Sequence, residues 1–173
     1  ILAEAKKRGM ITSIDVVSEQ SDRAKNIVKA ALKYTDICCI NESEAEAVTG
    51  ITLTKDGEIV PEKVFEAIDE IKKLGVSKWI VVHAPKFGFG LDCETGETIT
   101  VPSLNLPKGY IKGSTGAGDA YCSGILYSAH EDKTLEEAMK FARASAACSL
   151  SENNGTDGMR SYKEVLLVEE KYK

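Results

Sequence analysis

Two short runs of uninterrupted apolar residues constrain this chain most. They are Ile37-Cys38-Cys39-Ile40 within DICCI (36–40) and Trp79-Ile80-Val81-Val82 within KWIVVHA (78–84). A strand that is apolar on both faces needs cover on both, as strands of a parallel sheet receive from flanking helices. Between the two lies PEKVFEAIDEIKKLG (61–75), with Pro61 suited to a first helical turn, Gly75 to a stop, and a stripe of Val64, Phe65, Ile68, Ile71 and Leu74.

The same alternation extends outward. ILAEAKKRG reads as the end of a helix stopped at Gly9, and ITSIDVV (11–17) reads as a strand. DRAKNIVKAALKY (22–34) places Ile27, Val28, Ala31 and Leu32 on one helical face, and NESEAEAVTG (41–50) reads as a short acidic helix ending at Gly50. FGFGLDC and ETITVP, joined around Thr95-Gly96, read as a hairpin. A helix is expected from about Ala117 to about His130, and another follows a Thr134…Glu137 capping box with an Ala- and Ser-rich inner face that must pack closely. YKEVLLVEEKYK reads as a final short helix. The pattern predicts an α/β fold of three layers, with a mostly parallel sheet between helices.

Such sheets bind ligands beyond the carboxyl ends of their strands. That rule selects Asn41, the stretch from His83 onward, and the glycine-rich turn in KGSTGAGDAYCSG (112–124). A helix start leaves amide N–H groups unpaired and adds partial positive charge, so backbone alone can hold an anion. Gly116, Ala117 and Gly118 would let a phosphate approach closely. Asp119 repels a phosphate as a binder but suits a base that accepts the proton of an attacking hydroxyl. The bland alternative is an ordinary loop-to-helix turn with Asp119 as a first-turn acid. No Lys-Ser/Thr follows the glycines, so this is no P-loop, and Tyr121 occupies the third glycine position of a dinucleotide fingerprint. Asn41 and Glu44, three apart on a helix face, can hold Mg²⁺ through water or can simply cap their helix.

Together the motifs resemble the ribokinase-like PfkB carbohydrate kinases. The family's D-T-x-G-A-G-D-x-F stands as Gly113-Ser114-Thr115-Gly116-Ala117-Gly118-Asp119-Ala120-Tyr121. Its N-x-x-E stands as Asn41-Glu42-Ser43-Glu44, followed by Val48-Thr49-Gly50, and FARASAACSL…NNG resembles its A-N-A-A-A-A-L-S…G ending. The resemblance covers essentially the whole chain. It implies a single ribokinase-like domain of which residues 1–173 are the C-terminal nucleotide-binding and catalytic part, with the N-terminal portion, sugar pocket and lid outside it. The opening of the chain inside a helix without Met fits that expectation.

The implied activity is transfer of the γ-phosphate of ATP to a sugar hydroxyl. Asp119 would be the base, the amides of Gly116, Ala117 and Gly118 the anion hole, and Asn41 and Glu44 the organisers of Mg²⁺. Lys86 and Gly88, and the stretch from Arg143 to Gly155, would border the nucleotide. Members often bind a monovalent cation near the anion hole, and often dimerise. The alternatives are a nucleoside kinase of the same superfamily and a catalytically silent nucleotide- or sugar-binding regulator. The isolated piece is expected to be inactive. Departures from the family are Gly113 for its first Asp, His83-Ala84-Pro85 for its strand-end T-L-G, and Arg143 for the Asn common in the last helix.

Other residues read as structural. His83 is a core-edge histidine, His130 a helix C-terminal contact, and Asp15 a minor candidate for supporting the site. The odd count of five cysteines, with no C-x-x-C, points to reduced thiols and a cytoplasmic protein. A net charge of −5 argues against broad nucleic-acid or anionic-membrane binding, and no apolar run is long enough to span a bilayer.

Overall fold

A computed structural model describes residues 1–16 and 22–173, with the side chains of 22–24 outside the description. Val17, the last residue of the first predicted strand, lies outside the described residues. The chain divides into two compact units, one of residues 1–84 and 89–100 and the other of 85–88 and 101–173.

In the first unit, α1 (Leu2–Lys7) precedes β1 (Ser13–Ile14), and α2 (Asp22–Leu32) leads to β2 (Ile37–Asn41). Then come α3 (Glu42–Thr49), a small ribbon of β3 (Thr54–Lys55) and β4 (Glu58–Ile59), α4 (Pro61–Lys73) and β5 (Trp79–His83). The two apolar runs form β2 and β5, parallel neighbours in register from Ile37↔Trp79 to Asn41↔His83. β1 lies parallel on the other side of β2, and β1-β2-β5-β6-β7 is the sheet order, with β6 (Phe87–Asp92) and β7 (Thr98–Pro102) as the hairpin.

Four residues of each run are buried, and Val64, Ala67, Ile68 and Ile71 of α4 are buried as their spacing demands. They join Leu32, Val48, Leu53, Ile80, Val82 and Phe89 in one core. Ile27, expected on the buried face of α2, is instead exposed, so that the inner face centres on Val28 and Leu32. Gly75, at φ 117°, stops α4 where a Cβ would stand 2.7 Å from the Lys33 Cα. The β3–β4 ribbon was not expected, although its Asp56-Gly57 turn, both at positive φ, is a common hairpin signal.

At the opposite end of β2 from Asn41, Asp36 ties several segments together. It receives hydrogen bonds from Thr12 N–H and Oγ1–H, both 2.9 Å, and from Ser77 Oγ–H at 2.6 Å, and pairs with Lys6 at 2.8 Å. Burial opposes its charge, but these partners outweigh it and hold the carboxyl well below the usual carboxylate range.

The second unit contains α5 (Ala117–His130), α6 (Leu135–Leu150) and α7 (Tyr162–Tyr172). The Thr134–Glu137 capping box starts α6 as predicted. The small inner face of α6 meets Gly124 of α5 so closely that a Cβ there would lie 2.6 Å from the Ala142 Cα. On its other side, Ala144, Ala147 and Cys148 pack with Leu104 and with Val165 of α7. The five cysteines form no disulfide. Among the described residues no helix is long and apolar enough to cross a membrane.

Candidate active site

The glycine-rich turn lies in the second unit. Gly116 caps α5 at φ 80°, the left-handed region that favours glycine. A Cβ on it would stand 2.5 Å from the Cα of Gly155, so the loop after α6 is seated directly against the turn. The contact extends along both segments. Gly113 admits the backbone of Glu152 and Asn153 to 3.1–3.2 Å of its Cβ position, and the Lys112 N–H donates to Leu150 O at 2.9 Å. The loop holds its own shape through Asn154, whose Oδ1 accepts the amides of Thr156 (3.0 Å) and Asp157 (2.8 Å). The sequence carries this support in NNG, where an Asn at a turn commonly bonds the backbone two residues on.

The helix then begins with Ala120 N–H donating to Gly116 O at 2.9 Å. The Ala117 amide turns to Ser114 O at 3.2 Å. Those of Gly118 and Asp119 have no backbone acceptor among the described residues. Of the three expected anion-hole amides, then, those of Gly116 and Gly118 have no backbone acceptor among the described residues, and the Asp119 amide joins them. The Asp119 side chain is exposed in the same first turn. Its backbone carbonyl accepts Ser123 Oγ–H at 2.7 Å. Such a turn can hold an anion by amides and helix dipole, with a carboxylate beside it.

The residues expected to border a nucleotide divide into two kinds. Lys86 is exposed, and its carbonyl accepts Ser103 N–H at 2.8 Å. Gly88 is buried, and a Cβ there would stand 2.4 Å from Tyr121 Oη and 3.3 Å from Met139 Cε, so it serves packing beneath α5 and α6. Arg143 is only 12% exposed, and its guanidinium grips both carboxylate oxygens of Glu169 on α7 while Nη1 donates to Pro102 O at 2.6 Å. It ties α6, α7 and the end of β7 within this unit.

In the first unit, Asn41 and Glu44 form a reciprocal capping box. Asn41 Oδ1 accepts the Glu44 N–H at 2.8 Å, and Glu44 Oε2 accepts the Asn41 N–H at 2.9 Å. Glu44 is 6% exposed. Each bond occupies one acceptor direction on an oxygen, and both residues are hard oxygen donors of the kind Mg²⁺ prefers, so the pair fits a metal held through water. No group of three or more His, Cys, Asp and Glu is placed to hold a metal among the described residues. Asn41 stands in register with His83 on β5. Burial pushes the His83 imidazole down to about 4, so it is uncharged at neutral pH. Asp15 is exposed, with Oδ1 accepting the Val16 amide at 2.9 Å.

The model of the pfkB family carbohydrate kinases matches residues 1–161. The ribokinase of Arabidopsis thaliana is 28% identical over 161 residues, covering 93% of this chain and 39% of that protein. A 5-dehydro-2-deoxygluconokinase of Halalkalibacterium halodurans is 39% identical over 56 residues, 32% of this chain and 17% of the relative. The structure of Arabidopsis ribokinase complexed with ribose and ATP superposes with a TM-score of 0.80 at 25% identity, over 97% of this chain and 50% of that one. A protein described as a ribokinase II from E. coli, in complex with ATP and Mg²⁺, gives a TM-score of 0.79 at 19% identity over 99% and 52% of the two chains, a likeness of fold. The chain thus spans about half or less of the length of these relatives.

Proposed function

The chain belongs to the pfkB family of carbohydrate kinases, and from that premise we propose that it carries the nucleotide-holding and base-bearing part of an ATP-dependent sugar kinase. The observation that supports this best is the turn at Gly116. Its left-handed cap and the backing of Gly155 leave the amides of Gly118 and Asp119 available beside an exposed carboxylate. Phosphoryl transfer asks a protein chiefly for positioning and for neutralising charge. Amides at a helix start supply the second without a side chain in the way.

In this reading Asp119 accepts the proton of the sugar hydroxyl as that oxygen attacks the γ-phosphorus of ATP and the bond from that phosphorus to the β-phosphate oxygen breaks, with ADP as the leaving group. The open amides of Gly116 and Gly118 hold the phosphate oxygens, and the Ala117 amide joins them by giving up its 3.2 Å bond to Ser114 O. Mg²⁺, when bound, offsets phosphate charge, and Asn41 and Glu44 would orient its water ligands. Lys86 and the loop ending at Gly155 border the nucleotide. Arg143 contributes by fixing α7 and Pro102 around that border, and Gly88 by packing beneath it.

The test is Asp119→Asn in the full protein. Sugar-dependent phosphoryl transfer should fall by about 10²-fold or more, while nucleotide affinity stays within a few-fold. Turnover at the wild-type rate would remove Asp119 from the chemistry.

A further inference from the structure

Asn154 and Asp157 hold each other across the loop that backs the glycine-rich turn. Asn154 Oδ1 accepts the amides of Thr156 and Asp157, and Asn154 Nδ2–H donates to Asp157 Oδ2 at 2.8 Å. Both ends of one carboxamide are therefore used, and the rings they close include the Gly155 backbone. An Asn bonded to backbone beyond it fixes a turn where no regular structure does. The far end of the loop is anchored too. The Arg160 guanidinium donates to Asp157 O at 2.8 Å and to Met159 O at 2.9 Å. Gly158 is buried against α6, where a Cβ would stand 2.4 Å from Cys148 O.

Gly155 is the residue that presses on the turn. Its Cα is 2.5 Å and its carbonyl oxygen 3.0 Å from the Cβ position of Gly116, which carries one of the open amides. Two glycine backbones that face each other have no side chains to set their spacing, so the spacing depends on what holds each backbone. The left-handed cap of α5 holds Gly116, and the Asn154 carboxamide holds Gly155. Asn154 and Asp157 are both exposed, so their pairing adds little to the core.

We infer that Asn154 is a positioning residue for the phosphate cradle: its carboxamide, locked on Asp157, keeps the Gly155 backbone against Gly116 and so sets the direction of the amides at the start of α5. The inference rests on the phosphate-holding role proposed for that turn. Donors that must be held to within about 0.5 Å depend on such supports.

The experiment is calorimetry of ADP binding to the chain with Mg²⁺, with circular dichroism and urea unfolding of the same samples. Asn154→Ala should weaken ADP about tenfold while the urea midpoint stays near that of wild type. Asn154→Asp keeps an acceptor for the two amides but sets a carboxylate against that of Asp157, and should lose at least as much. Asp157→Asn keeps an acceptor for Asn154 Nδ2 and should stay within about threefold of wild type. The double variant Asn154→Asp/Asp157→Asn restores the side-chain bond with its direction reversed and returns the charge to the wild-type value. It should recover most of the affinity that Asn154→Asp loses. A double variant that binds no better than Asn154→Asp would overturn the role of Asn154 while leaving that of the turn standing. So would an Asn154→Ala variant that binds as wild type does, or one whose loss of affinity comes with a collapse of the urea midpoint. A folded wild type that binds no ADP would overturn the phosphate reading and this inference with it.

Discussion

The Cβ position of Gly116 lies 2.5 Å from the Cα of Gly155, closer than a side-chain carbon can stand to a backbone. The relationship is asymmetric. A Cβ on Gly155 would have Gly116 Cα as its nearest neighbour at 3.4 Å, an ordinary contact. Gly116 also has φ 80°, which costs a residue with a Cβ about 1–2 kcal/mol.

Gly116→Ala should therefore displace the loop from the turn and destabilise the chain by more than that backbone cost, with loss of nucleotide binding. Gly155→Ala should keep both within about 0.5 kcal/mol and about twofold of wild type. Thermal melts and calorimetry on the two variants check this. Equal effects would mean that the close approach does not shape the site.

Gly88 meets the end of a side chain rather than a backbone. Its Cβ position is 2.4 Å from Tyr121 Oη, and the next atom of that ring is 3.4 Å away. Gly88→Ala should cost about 1–3 kcal/mol by overpacking. Adding Tyr121→Phe should recover a good part of the loss in urea unfolding. Strict additivity of the two changes would contradict the proposed contact.

Asp36 gives a stability test at the other end of β2. Asp36→Asn should cost about 2 kcal/mol at pH 7, because charge-assisted bonds from Lys6, Ser77 and Thr12 are weakened. The folded carboxyl titrates below its ordinary 3.8, so its contribution is present above that pH and is lost as acidification protonates it. Denaturant midpoints of wild type and variant should begin to converge as pH falls below about 4 and keep converging with further acidification.

His83 has the opposite sign of charge and the same direction of loss. Unfolded, it takes a proton near 6.5; folded, only near 4. Between those values the unfolded state binds the extra proton, so stability should fall as pH drops from about 6.5 toward 4 and be flat with respect to this group above it. His83→Gln should remove that part of the slope in urea titrations at pH 7.5 and 5. An unchanged slope would place the imidazole in water.

Much of this was legible in the sequence because local chemistry and tertiary role coincide. Ile37–Ile40 and Trp79–Val82 are apolar on both faces and became adjacent buried strands. The Thr134 and Asn41 boxes are written in residue types three apart, and both formed. The turn at Gly116 was legible as a helix start, but not its contact with Gly155, because nothing local records which distant backbone a glycine admits. For the same reason the packing of Tyr121 and Met139 over Gly88 could not be read from the residues around it. Arg143 read as the start of a stretch bordering the nucleotide, but its partner Glu169 lies 26 residues on and could not be paired from sequence. Ile27 shows the limit of periodicity, since a stripe one residue too wide leaves its edge in solvent.

In the proposed function the Gly116–Asp119 turn holds the phosphates of a nucleotide. The most direct measurement is calorimetry of ATP or ADP binding to this chain with and without Mg²⁺, comparing wild type with Gly118→Asp, with circular dichroism to show that both are folded. Binding should strengthen with Mg²⁺ and be lost when a carboxylate enters the amide cradle. A folded wild type that binds no nucleotide, or a Gly118→Asp variant that binds as wild type does, would contradict it.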